Sequence, residues 1–128
     1  MSSLDVVRHV CLAGNTISNN WGLIQALRSR FAVTLLEHVE QLVECAFLKN
    51  THLLVLDCSR NEQAALRILP RVTRDLPELC VVLVDGGISQ KQIAHAFEDG
   101  VKDYFAEPYD VDLLAERIDA LCMNFLSK

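Results

Sequence analysis

Five short apolar runs, each followed by a stretch with helical spacing, organise this sequence, and that alternation admits essentially one architecture. A run as uniformly apolar as 52–56 is expected to be buried on both faces, the condition of a central strand in a parallel sheet, whereas the more polar 101–106 suits a sheet edge. The runs fall at 6–13, 31–36, 52–56, 80–84 and 101–106, and the third stops abruptly at Asp57. Between them, 18–30 places Trp21, Ile24, Leu27 and Phe31 on one face, and 39–48 has apolar residues at 39, 42, 43, 46 and 47. A third helix over 61–76 contains Pro70, which predicts a kink or break near Leu69. Ser89 caps a fourth helix running to Glu98 with Gly100 as its stop, and Asp110 caps a fifth with positions 111, 114, 118, 121 and 122 facing inward. The fold class expected is α/β, a doubly wound five-stranded parallel sheet.

Length and composition exclude most other classes. With 128 residues the chain supports one core, and a single domain over 1–128 leaves no linker or repeat. The apolar runs are far too short to span a bilayer, and residues 1–5 carry no basic, then apolar, secretory pattern. The five cysteines form no Cys-x-x-Cys pair, so they read as small buried hydrophobes of a reducing, cytoplasmic compartment. A net charge of −5 argues against direct nucleic-acid binding. His9, His38, His52 and His95 share no ligand spacing, and no nucleophile–base pair or phosphate-cradling glycine loop stands out, so no enzymatic activity is expected.

In such a sheet, functional groups gather where the strands' C-terminal ends open into loops. Those ends read Gly14-Asn15, Asp57, Asp85 and Glu107. With the segment Ala96-Phe97-Glu98-Asp99-Gly100-Val101-Lys102-Asp103-Tyr104-Phe105-Ala106-Glu107-Pro108-Tyr109-Asp110, this constellation resembles the receiver domain of two-component response regulators, over roughly residues 7–122. The resemblance implies the strand order 2-1-3-4-5 and a signal-relay module. In that family a carboxylate ending the third strand, here Asp57, accepts a phosphoryl group from a histidine kinase. An acidic pair after the first strand holds Mg²⁺, and a hydroxyl residue and a lysine ending the fourth and fifth strands contact the phosphoryl oxygens. The resemblance further implies an aromatic switch residue at Tyr104 and a cis bond before Pro108.

The chemistry-bearing positions depart from that pattern. No Asp or Glu occurs between Asp5 and Glu37, so Gly14 and Asn15 stand where the metal-binding acids belong. Asp85 replaces the hydroxyl residue and Glu107 the lysine. Three carboxylates are thus expected to converge without a lysine or a metal cage, unless Asp85 and Glu107 face solvent or pair with Arg60 or Lys102. Adding phosphate to such a cluster costs a few kcal/mol per like-charge contact, on the order of Coulomb energies in a partly screened site. The expectation is an atypical, phosphorylation-independent receiver with no cofactor, acting through a protein partner or output domain. A homodimer through the fourth helix, fifth strand and fifth helix, about residues 90–99 and 102–119, is the interface the resemblance implies. The alternative is a conventional receiver using Mg²⁺, phosphorylated on Asp57.

Overall fold

The computed structural model describes residues 8–44, 50–59, 62–85 and 87–126. Five strands, β1 (His9–Ala13), β2 (Ala32–Leu36), β3 (Leu53–Asp57), β4 (Cys80–Asp85) and β5 (Asp103–Ala106), form one sheet in the order β2-β1-β3-β4-β5. Every pairing is parallel, with Leu12 beside Val55 and Val55 beside Val82 at its centre. Four helices cross over it: α1 (Trp21–Arg28), α2 (Glu62–Asp75), α3 (Gln90–Glu98) and α4 (Val111–Leu126).

The unbroken apolar runs are explained by two cores, one on each face of the sheet. Leu54, Leu56, Val81 and Leu83 point to one side, where Leu69 and Val72 of α2 and Ala96 of α3 cover them. Leu53, Val55 and Val82 point to the other, against Leu23, Leu27, Leu114 and Ile118 of α1 and α4. Cys11, Cys58, Cys80 and Cys122 are reduced and buried in these cores, and burial pushes the Cys122 thiol up to about 12; Cys45 lies outside the described residues. Among those residues no helix is long and apolar enough to cross a membrane.

Three helices differ from the sequence expectation. A 3₁₀ turn at Ile17–Asn19 precedes α1, and the side chain of Asn20 caps the helix by accepting from the Leu23 amide at 3.1 Å. That cap starts α1 at Trp21, so the indole is 62% exposed, and Leu23, Ile24 and Leu27 form the buried face instead. At 39–48 the described part is a 3₁₀ helix over Val39–Glu44, with 45–49 outside the described residues. Helix α2 runs through Pro70 without a break. Pro70 itself is exposed, so its ring stands on the solvent side of the helix.

At the ends the structure follows the local chemistry. Ser89 and Gln92 make a reciprocal capping box on α3, and Gly100 leaves that helix with φ +110°. Asp110 accepts from the amides of Asp112 and Leu113 at the start of α4.

Candidate functional site

Because all five strands run the same way, their C-terminal ends bring residues 14–20, 57–59, 85, 87–88 and 107–109 to one edge. Gly14 leaves β1 with φ +126°, a conformation open to glycine, and a Cβ there would lie 2.5 Å from Cβ of Asp57. The loop then folds on itself. The Gly14 carbonyl accepts from the Ser18 amide at 3.1 Å, and the Asn15 carbonyl accepts from Nδ2 of Asn19 at 2.7 Å.

Asp57 is 5% exposed, and both its oxygens are engaged. Oδ2 accepts from the Ile17 amide at 2.8 Å, across the sheet edge. Oδ1 accepts from the Ser59 amide at 2.8 Å and from the Ser59 hydroxyl at 2.5 Å. The same hydroxyl also meets Oε1 of Glu107, so one proton stands between two carboxylates.

Asp85 is 2% exposed and turned onto its own loop, where Oδ2 accepts from the amides of Gly87 and Ile88, each at 2.5 Å. Its carbonyl accepts from the Glu107 amide at 2.9 Å and from the Tyr104 hydroxyl at 3.0 Å. Tyr104 thereby joins β4 to β5 while its ring packs against the core on the α2–α3 face. Desolvation, then the negative charge of Asp85, raises the Tyr104 phenol above its ordinary value. Tyr109 is raised too, chiefly by burial, with the hydrogen bond from Asn20 (Nδ2 to Oη, 3.0 Å) acting against it. The Glu107–Pro108 bond is cis.

The three carboxylates therefore do not share one centre. Asp57 and Glu107 meet through Ser59, whereas Asp85 takes the nearer backbone donors and neither faces solvent nor pairs with Lys102; Arg60 lies outside the described residues. Ser59, which closes the link, went unnoticed in the sequence, although Asp-x-Ser at a strand end is a signal for this local turn.

The Mg²⁺ that the resemblance implies does not fit these residues. Gly14 contributes no side-chain ligand and leaves no room for one against Asp57, and both Asp57 oxygens already accept from protein donors. Among the described residues no group of three or more His, Cys, Asp or Glu could hold a metal ion.

No protein-family model matches the chain. Two-component response regulator ORR3 of Oryza sativa, in subspecies indica and japonica, is 27% identical over 117 residues, spanning 86% of this chain and 89% of the relative. Among solved structures, a CheY-like receiver domain protein of Methanospirillum hungatei JF-1 superposes with a TM-score of 0.83 at 14% identity, covering 95% of this chain and 98% of the other. A response regulator of Thermotoga maritima gives 0.77 at 18% identity, over 92% and 99% of the two chains. HP1043, an orphan response regulator of H. pylori, gives 0.77 at 23% identity, over 90% and 96%. The fold is that of the response-regulator receiver domain.

Proposed function

We propose that this chain is an atypical receiver domain that signals through protein contacts, without phosphorylation of Asp57 and without a metal. The observation that carries this reading is the closure of Asp57. A nucleophilic carboxylate needs a free oxygen facing the phosphodonor and a cation to neutralise developing charge. Here Ile17 and Ser59 occupy both oxygens, and Gly14 packs where an acidic ligand would reach in. Glu107 adds negative charge where the family has an amine.

The domain is then a binding module and not an enzyme. It meets a protein partner or an output domain in the cytoplasm, with no membrane or direct nucleic-acid contact. For a symmetric dimer the supporting surface is the one built by α3, β5 and α4. It exposes Phe97 and Leu113, flanked by the Arg117–Asp103 ion pair at 2.6 Å.

Incubation with a small acyl phosphate and Mg²⁺, read by intact-protein mass, tests the reading. No mass gain is expected. A phosphoryl-sized gain that disappears in Asp57→Asn would establish instead a conventional, kinase-driven receiver.

A further inference from the structure

Helix α2 exposes Arg67, Pro70, Arg71 and Arg74 along one side. Arg74 pairs with its neighbour Asp75 at 3.2 Å, but Arg67 and Arg71 have no ion-pair partner among the described residues. Helices α3 and α4 mix their signs, and α1 carries the single charge of Arg28. This stripe carries three of the chain's 12 basic residues, in a chain that holds 17 acidic ones. Like charges four apart on a helix repel, so the helix bears this pattern at a cost to its own stability.

The complement lies on the same chain. A groove of about 180 Å³ between α1 and α4 is floored by Ala26, Leu27, Phe31 and Ala115 and rimmed by Asp112 and Glu116. Those two acids are also four apart, exposed, and without an ion-pair partner among the described residues. Arg30, the cation at the rim, is already answered by Asp119 at 3.0 Å. An apolar floor with carboxylates at its edge suits an arginine, whose methylene stem packs while its guanidinium meets acids.

We infer that the arginine stripe of α2 on one copy docks into the acidic groove between α1 and α4 of a second copy. The stripe cannot reach its own groove, because α2 covers one face of the sheet and α1 and α4 cover the other. The contact is therefore heterologous, and a copy bound at its groove still offers its stripe to the next. Asp112 and Glu116 face α1, while Arg117 faces β5, so this surface is separate from the symmetric face proposed above. Nor does it depend on whether Asp57 is phosphorylated.

Sedimentation velocity from micromolar to millimolar protein, at low and high salt, is the test. Weak self-association that high salt suppresses is expected. Both R67E/R71E and D112R/E116R should raise the apparent Kd about tenfold or more, since exposed ion pairs are replaced by repulsions. Each variant alone should stay monomeric, and a mixture of the two should associate again, because every reversed stripe then finds a reversed groove. Circular dichroism checks that both variants remain folded. A wild type monomeric throughout, or association untouched by R67E/R71E, overturns the proposal; so does failure of the folded variants to associate when mixed. Loss of association in D112R/E116R with R67E/R71E still associating also overturns it, because the groove would then receive something other than the stripe.

Discussion

Gly14 and Asp57 are packed so closely that the place for a side chain on one is filled by the side chain of the other: a Cβ built on Gly14 falls 2.5 Å from Cβ of Asp57, 3.1 Å from its carbonyl oxygen and 3.2 Å from its Cγ. Gly14→Ala is expected to cost about 2 kcal/mol or more, from strain at positive φ together with overpacking against backbone and Cβ atoms that cannot swing aside. The midpoint of urea denaturation measures it. A midpoint equal to wild type would show that the two strand ends separate freely.

Replacing Asp57 by asparagine tests what the carboxylate does. A receiver pocket with uncompensated acids gains stability when one is neutralised. In this chain the carboxylate accepts from the Ile17 and Ser59 amides, and an amide group would turn an N–H toward one of those donors. Asp57→Asn should therefore lose about 1–3 kcal/mol, the cost of a broken buried hydrogen bond. Millimolar Mg²⁺ should leave the wild-type melting temperature unchanged, whereas a dose-dependent rise would signal a bound cation.

At the opposite edge of the sheet, Nδ1 of His52 accepts from the His9 amide at 2.9 Å, and the two rings stack with centroids 6.2 Å apart. Burial, then the charges of His9 and Arg8, lowers the His52 pKa from 6.5. A proton on Nδ1 would also remove the acceptor. With the folded value depressed, both states are neutral above 6.5, and the unfolded chain takes up the proton first as pH falls. Stability should drop on acidification below that value, and NMR should find the His52 ring titrating below an ordinary histidine. A His52 titration at or above 6.5 contradicts this account.

Tyr104 gives the opposite sign at the alkaline end. Its phenol is raised above 10.0, so below that pH both states are protonated, and as pH rises the unfolded chain ionises first and stability declines. Tyr104→Phe removes the hydrogen bond to the Asp85 carbonyl and should cost about 0.5–1.5 kcal/mol. Ultraviolet titration of that variant leaves only Tyr109, which should also ionise late. A wild-type titration with both phenols at the ordinary value would remove the basis for this prediction.

The sheet was legible because its signal is local. Runs such as Leu53–Asp57 and Cys80–Asp85 are buried on both faces, and a fully apolar pentamer ending in an acid leaves few alternatives in a chain that alternates with helical patterns. Caps were legible for the same reason, since Ser89 and Asp110 act on amides two or three residues away. Trp21 was misplaced because periodicity locates a helical stripe but not the first turn, where the Asn20 cap decides which residue faces out.

From the order of residues alone came the alternation of a doubly wound sheet and the strand-end positions of Gly14, Asn15, Asp57, Asp85 and Glu107. Only the folded chain decided what those acids do. Asp57 and Glu107 share the hydroxyl of Ser59, while Asp85 withdraws onto the amides of Gly87 and Ile88. A carboxylate's partner is whichever donor lies within about 3 Å, and that distance is set by how separate strands and loops meet in space.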